Sequence, residues 1–518
     1  MTDAIYLLPL AGPLILALAA LAGTAEPGPY PRHAKRVVGA ATLVTLVVSI
    51  VSAVILVALG PGTSPTLGVA PLGLSVRLDA LSAIVFGLVS FVGVLVARFS
   101  FAYLEGDARH GAFLGRLSLT LSAVSLLVLS GNLLHLAIAW VATSLALHRL
   151  LLFYPQRWRA FVAARKKFIV ARIGDVALLT AFLLLYVGFG ALDVVEVGRL
   201  AAAGGPTVDA AAVLIAIAAA LKSAQFPTHG WLVEVMETPT PVSALLHAGI
   251  VNAGGFLVLR LSGVMVESSA ALLLLTVIGG ATALIASAVM LTQSSVKASL
   301  AYSTVAQMGF MLLQCGLGAF SSAVLHLVAH SLYKAHAFLA SGSAVEMVSA
   351  KWRGQPAAAP TPLLGFVAVV VALGVFALTA ALFGVTPSRE PAIVLLGAVL
   401  ALALAHLILR ASSALRTPAF VARMVLAATA LSVSYFALQA GTHALVADVV
   451  AEADPLFGLP SLAAPLVLLG FVGLAVGQWM VTGPLGGPFV RALYVHARNG
   501  FYANALFDRW LGTLRPRA

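Results

Sequence analysis

The chain has 518 residues, 61% of them hydrophobic and only 9% charged, with a mean hydropathy of +1.05. A soluble domain carries about 25% charged residues, so this composition excludes a water-soluble globular protein and predicts an all-α, polytopic membrane protein. The net charge of +12 is spread over short loops between apolar runs, a pattern of topology determinants and lipid contacts rather than of a nucleic-acid surface.

The single cysteine, Cys315, excludes a disulfide within the chain. It also excludes a cysteine-ligated iron–sulfur cluster, which needs about four thiolates. No GxGxxG fingerprint follows a strand pattern and no P-loop is present, so neither nicotinamide binding nor ATP hydrolysis is visible. Asp3 precedes the first apolar run, which reads as a permanent helix and not as a signal peptide.

In chain order, about 14–15 transmembrane helices are expected, at about 20 apolar residues each. They fall at 4–23, 37–59, 78–97, 113–131, 133–153, 168–190, 208–227, 240–262, 269–291, 296–317, 320–345, 361–384, 391–410, 420–445 and 460–482. Alternate loops carry Arg32, Lys35 and Arg36; Arg98, Arg109 and Arg116; Arg157, Arg159, Arg165, Lys166 and Lys167; Lys351 and Arg353; Arg410, Arg416 and Arg423. The intervening loops hold Arg77, Arg199 and Arg389 with the acids Asp193, Glu196, Glu267, Asp448, Glu452 and Asp454. That asymmetry puts the N-terminus outside and the C-terminus in the cytoplasm. The tail FVRALYVHARNGFYANALFDRWLG is amphipathic and aromatic, suited to a membrane surface or a partner.

Counting spans divides the chain into N-terminal helices (1–112), two five-helix units (113–266 and a degenerate 267–415) and C-terminal helices with the tail (416–518). Five is odd, so two such units in series sit inverted in the membrane.

The centre of this arrangement is KSAQFPTHGWLVEVMETPTPVSALLHAGIVNAGG, from Lys222 to Gly255. Prolines at 227, 239 and 241 predict broken helices, which free backbone groups to meet ions or water. Ionisable groups at membrane depth are costly and are functional candidates by default. Lys222 ends an apolar run; it reads either as a snorkelling lysine or, beside the break, as a proton relay. His247 lies inside the next run, where it suits proton passage or satisfies a backbone carbonyl. His326, His330 and Lys334 recur at i, i+4 and i+8, on one helical face about 12 Å long. They read as a proton wire. As a zinc site they lack the HExxH glutamate, and the lysine repels a cation, so no metal is assigned. Lys297 is either an interfacial anchor or part of the path. Asp175 needs a partner, and Arg172 is three residues away. Glu234 and Glu237 are either a solvated face or the cytoplasmic mouth of the path. His135, His148 and Arg149 flank Trp140 without a decision between packing and function.

Three stretches, KSAQFPTHGWLVEVMETPTPVSALLHA, SSVKASLAYSTVAQMGFM and HSLYKAHAFLASGS, together with ARIGDVALL, resemble the antiporter-like subunits of respiratory complex I (the chain 5 or NuoL type) and of the Mrp cation/proton antiporters. The resemblance covers roughly residues 75–350 and implies an antiporter-like fold with two inverted five-helix repeats and broken helices. It implies that Lys222 is the lysine at the helix break, His247 the histidine of the following helix and Asp175 the aspartate of the RxGD segment. Lys297, His330 and Lys334 then belong to a hydrophilic axis. Two features depart from the pattern. The family's tryptophan–glutamate pair reads Trp140-Val141 here, and GVFALTAALFGVTPSRE has no lysine before Arg389.

Both departures, and the stretches WVATSLALHRLLLFYPQR, HAGIVNAGGFL and NGFYANALFDRW, resemble the DabB branch of the family, the membrane subunits of inorganic-carbon accumulation complexes. This resemblance implies a bacterial inner-membrane location and a partner, DabA, a zinc protein similar to β-carbonic anhydrases. Protons or sodium ions passing through the membrane subunit would drive CO2 or bicarbonate capture in that partner. No cofactor is then expected in this chain, the zinc being the partner's, and the chain is expected to be a transporter subunit and not an enzyme. The rivals are a subunit of a complex I or Mrp assembly and a non-conducting membrane anchor.

Overall fold

The computed structural model describes residues 2–69, 72–154, 156–235, 238–342, 362–414, 417–451, 459–482 and 487–510. Nearly all of these are helical. A 3-10 turn, Thr2–Leu10, leads into α1 (Ala11–Ala25), followed by α2 (Arg32–Leu59), α3 (Ala80–Tyr103), α4 (His110–Val128), α5 (Leu133–Leu151) and α6 (Trp158–Phe189). Next come α7 (Val194–Ala201), α8 (Pro206–Lys222), α9 (Gly230–Glu234), α10 (Thr240–Leu245), a π-helical turn at Leu246–Ile250, α11 (Ala253–Arg260) and α12 (Ser262–Met265). Then follow α13 (Ser269–Met290), α14 (Val296–Gly316), α15 (Phe320–Leu339), α16 (Pro362–Leu382), α17 (Pro391–Ala414), α18 (Pro418–Val446) and α19 (Leu459–Thr482). The described chain closes with α20 (Pro488–Arg498) and α21 (Ala503–Trp510).

Among the described residues, 11 helical segments are long and apolar enough to cross a membrane. Four more helices accompany them: α8, of 17 residues, the polar-lined α14 and α15, and α19, whose apolar stretch is Leu462–Gln478. The fold is the antiporter-like one expected, a helical bundle with broken helices. Its outer surface exposes Leu18, Val47, Ile50, Val57, Val176, Leu183, Val187, Phe366, Leu378 and Leu466. Such a band is an aggregation hazard in water and the normal lipid face of a membrane protein.

Local signals start and stop these helices. Asp79 and Ser82 form a reciprocal capping box at α3. Asn132, Asp193, Ser268 and Ser295 cap α5, α7, α13 and α14 through side-chain oxygens. Gly190, at φ +67°, ends α6 in the left-handed conformation. Close packing then sets the bundle. A Cβ on Gly309 of α14 would come within 2.7 Å of the α13 backbone, so only glycine allows this approach.

Contacts between turns define two faces. On one, Lys35 pairs with Glu105 at 3.4 Å, Tyr154 Oη donates to Asp107 at 2.6 Å and Arg109 donates to the Phe153 carbonyl at 2.9 Å. On the other lies the antiparallel hairpin Gly62–Thr63/Arg77–Leu78, in register Gly62↔Leu78 and Thr63↔Arg77. Isolated bridges join Val76 to Ser130 and Asn132 to Asp193 there.

One expectation is corrected. Arg157, Arg159, Arg165, Lys166 and Lys167 read as a basic loop, but α6 begins at Trp158 and its 32 residues span about 48 Å, well beyond a hydrocarbon core of about 30 Å. Ala160, Ala163, Ala164, Lys167 and Val170 are buried at helical spacing and carry Lys166 and Lys167 inward. Glu237, Lys351, Arg353, Arg416, Glu452 and Asp454 lie outside the described residues.

A buried ion pair ties the opposite face together. Arg260, closing α11, donates to Asp79 at 2.5 and 3.2 Å, and Arg77 Nε adds a contact at 3.3 Å. Burial alone would raise the Asp79 carboxyl, but the charge and hydrogen bond of Arg260, with the Ser82 amide and Arg77, more than offset it and hold the group at about 2, against an ordinary value of 3.8. The pair therefore stabilises the fold fully above pH 3.8 and loses that contribution as pH falls towards 2. Arg260→Met, which leaves the carboxylate only the longer Arg77 contact and the Ser82 amide, is expected to cost about 3 kcal/mol. The Asp79→Asn/Arg260→Met double variant should recover part of the loss in thermal unfolding of the detergent-solubilised protein.

Candidate functional site

The site is built around the end of α8. The helix starts at Gly205, φ +109°, with Pro206 in its first turn, and runs about 25 Å before stopping at Lys222. Ala224 takes a positive φ of 50° and Pro227 supplies no N–H, so the chain leaves the helix and resumes only at α9. Lys222 is thus delivered to the bundle interior at a break.

There it meets Trp140 of α5. Lys222 Nζ lies 4.2 Å from the centroid of the indole ring, and donates no hydrogen bond among the described residues. A cation over an indole face gains about 2 kcal/mol or more when desolvated. The other edge of the same ring is fixed: Trp140 Nε1 donates to Asp175 Oδ1 at 3.0 Å, and Asp175 Oδ2 pairs with Arg172 at 2.6 Å. Asp175 sits about 26 Å along α6, near the middle of the helix. The indole is therefore a spacer between lysine and carboxylate, its electron-rich face to one and its N–H to the other. Lys167 lies close by, buried, with Nζ donating to the carbonyl and hydroxyl of Ser144 at 2.6 and 2.8 Å. A cavity of about 20 Å3, lined by Trp140, Lys167, Lys222 and Trp231, has room for about one water.

A second cluster runs along α15. The chain's α14 and α15 are antiparallel, and their polar residues pair in sequence. His326 Nδ1 contacts Gln314 Oε1 at 2.9 Å, His330 Nδ1 contacts Gln307 Oε1 at 2.8 Å, and Lys334 Nζ donates to Ser303 Oγ at 2.7 Å and to the Leu300 carbonyl at 3.2 Å. His336 is exposed and off this face. His330 Nε2 lies 3.2 Å from the His247 carbonyl, joining α15 to the π-helical turn. That turn presents His247, fully buried, with its ring 4.3 Å from that of Phe338 and neither ring nitrogen bonded among the described residues. Single π-turns inside helices recur at functional sites. Between the two clusters, Ser223 Oγ donates to the Val251 carbonyl at 3.0 Å and Asn252 to Ser331 at 2.7 Å. A further cavity of about 20 Å3 touches Asn252 and Ser331.

The remaining expected residues lie nearer the basic-loop face. Lys297 opens α14 half-buried and donates to Thr240 at 3.2 Å. Glu234 ends α9 and takes a hydrogen bond from Lys166 at 2.6 Å and from Asn504 at 2.7 Å. Lys166 is fully buried and also pairs with Asp508, so α21 folds back over this point. The structure adds Lys166 and Lys167, which the sequence pattern places in a basic loop, together with Ser144 and the buried His229, which stacks on Phe226 at 5.3 Å. The three-to-four spacing of Ala160, Ala163, Ala164 and Lys167 was the available signal for the lysines. Among the described residues no group of His, Cys, Asp and Glu is placed to hold a metal ion.

Residues 130–354 match the family model for the membrane part of NADH:quinone oxidoreductase and Mrp antiporters, and residues 66–114 that for the chain 5 N-terminus of complex I. The chain is 40% identical over 472 residues to a "Probable inorganic carbon transporter subunit DabB2" of Halothiobacillus neapolitanus, covering 89% of this chain and 83% of that one. It is 46% identical over 290 residues to the "Probable inorganic carbon transporter subunit DabB" of Hydrogenovibrio crunogenus, 55% of this chain and 56% of the relative; the match thus spans only about half of that relative's length. Among solved structures, the Mrp complex from Dietzia sp. DQ12-45-1b superposes with a TM-score of 0.65 at 24% identity, over 99% of this chain and 60% of that chain, a likeness of fold.

Removing a buried, unbonded cation relieves a desolvation cost. Lys222→Met is accordingly expected to leave the melting temperature unchanged or raise it. Asp175→Asn leaves Arg172 unneutralised at a third exposed site and is expected to cost about 1–2 kcal/mol. Thermal unfolding of both variants in detergent checks the pair.

Proposed function

Because the chain belongs to the DabB branch of the NADH:quinone oxidoreductase/Mrp antiporter-like family, we propose that it is the cation-conducting membrane subunit of an energy-coupled inorganic-carbon accumulation complex. Protons are the favoured cation. The observation that carries this reading is Lys222, set at a helix break inside the bundle, held on the Trp140 face and with no hydrogen bond at Nζ among the described residues. A passive anchor has no use for such a group, since a buried charge without a partner is a standing cost.

The route runs from a mouth at Glu234 and Glu237 to Lys222, past His247, and along His330, Lys334 and His326. Asp175 is the supporting charge and Lys297 a side member. The units 113–266 and 267–415 act as inverted repeats around this route. The chain lies in a bacterial inner membrane with its N-terminus periplasmic and its C-terminus cytoplasmic, the side to which the positive-inside rule assigns the basic loops. The hydration chemistry and its zinc belong to a partner resembling β-carbonic anhydrase, this chain being a transporter subunit without a cofactor of its own. Cation flow down its gradient would drive CO2 or bicarbonate capture there in one direction.

The second reading is a proton or sodium antiporter subunit of a complex I-like or Mrp-like assembly, favoured by the family-model match over residues 130–354. Against it stands α5, which carries Val141 after Trp140 and no acid anywhere along its length.

The deciding experiment co-expresses the chain with the neighbouring gene product in cells lacking carbonic anhydrase. Growth in air and uptake of labelled inorganic carbon that need both proteins, and collapse with an uncoupler, are the expected outcome. Antiport in vesicles with no rescue of growth would transfer the chain to the second reading.

A further inference from the structure

The neighbourhood of Lys222 carries an unbalanced charge count. Lys167 and Arg172 on α6 both donate to Ser144 Oγ, at 2.8 and 3.3 Å, and Lys222 on α8 lines the same cavity as Lys167; the acid beside them among the described residues is Asp175, which Arg172 already neutralises at 2.6 Å. From α5, the His148 ring lies 5.2 Å from that of Phe168, the residue after Lys167, and α5 offers no carboxylate. The other residues lining the shared cavity, Leu147, Val170, Trp231 and Ile250 among them, carry no charge. Two buried lysines are thus left without a counterion among the described residues, both lining a cavity with room for about one water. Two such like charges at one small buried cavity do not both persist.

We propose that Lys167 and Lys222 share one proton through a single water and act together as the loading site of the cation path. This deepens the translocation reading above and rests on it. In the transfer step the Lys222 ammonium gives a proton to the water, and the water gives one of its own to the Lys167 amine. Lys222 is left as the neutral amine and Lys167 as the ammonium, with atoms and charge conserved. Each state has its own support. The Lys222 ammonium rests on the indole face at 4.2 Å, and the Lys167 ammonium donates to the Ser144 carbonyl and hydroxyl at 2.6 and 2.8 Å. Lys167 also adjoins Lys166, whose contacts with Glu234 and Asp508 lead to the basic-loop face.

Lysine Nζ resonances in 15N NMR distinguish amine from ammonium, and the chain has only seven lysines to resolve. In a Lys334→Met background, which removes the other buried lysine bonded only to neutral groups, the complex at neutral pH is expected to show one amine resonance that disappears on adding Lys167→Met or Lys222→Met, because the remaining lysine then keeps the proton. An amine resonance that survives either substitution, or that this background lacks, overturns the pair. Lys167→Gln, which retains a donor for Ser144, replaces the methionine variant if that fails to assemble. In proteoliposomes with an entrapped pH dye, Lys167→Met is expected to lower proton flux at least about tenfold. Lys167→His, which keeps a group that can take and release a proton at this point, should retain more of it. Equal flux in wild type and Lys167→Met, or equal loss in both variants, overturns the role. A wild type that moves no protons overturns the translocation reading instead, and the NMR result still decides the pair.

Discussion

Holding positive charge inside an apolar bundle is the constraint on which this structure depends. Lys222 is carried to the interior by a helix that stops early, and the bundle meets it with an aromatic face and not a carboxylate. Trp140 can serve there only because its N–H is anchored on Asp175, and Asp175 stays buried only because Arg172 lies one turn away on the same helix. Four residues on three helices thus form one electrostatic unit. A direct salt bridge would trap the lysine in one state. A cation over a π-face gains less than a buried ion pair, so the charge stays poised to leave.

The second cluster solves the same problem with neutral dipoles. The amides of Gln314 and Gln307 and the hydroxyl of Ser303 descend α14 in step with His326, His330 and Lys334 on α15. Antiparallel helices with polar residues at three- and four-residue intervals produce this ladder without further design. Backbone carbonyls complete it, at His247 for His330 and at Leu300 for Lys334. The C-terminal helix α21 adds closure at the other end. Asn504 sits where a side chain on Gly230 would collide, and Asp508 reaches the same buried lysine as Glu234. The segment that leads away from the helix break is thereby tied to the last described helix of the chain.

Much of the architecture was legible in the sequence, because hydropathy at membrane length and proline at element boundaries act locally. The break after Lys222 and the shared face of His326, His330 and Lys334 could be read from spacing alone. Lys166 and Lys167 could not be read that way. Five cations within residues 157–167 look like a solvated loop, and only contacts with Ser144, Glu234 and Asp508 show two of them turned inward. Asp79 and Arg260 were invisible for a different reason: 181 residues separate them, and no periodicity links a helix cap to the end of a distant helix. Trp140 was noted, but its double contact depends on the relative placement of α5, α6 and α8, which no local pattern encodes.

The central claim is that charge moves through this chain by way of Lys222. The most direct measurement is the transient current from proteoliposomes adsorbed on a solid-supported membrane after a pH jump or a sodium jump. The account predicts charge displacement in the wild type on the pH jump and none in Lys222→Met reconstituted at equal density. Equal currents in the two proteins, or no current in the wild type under either jump, would contradict it.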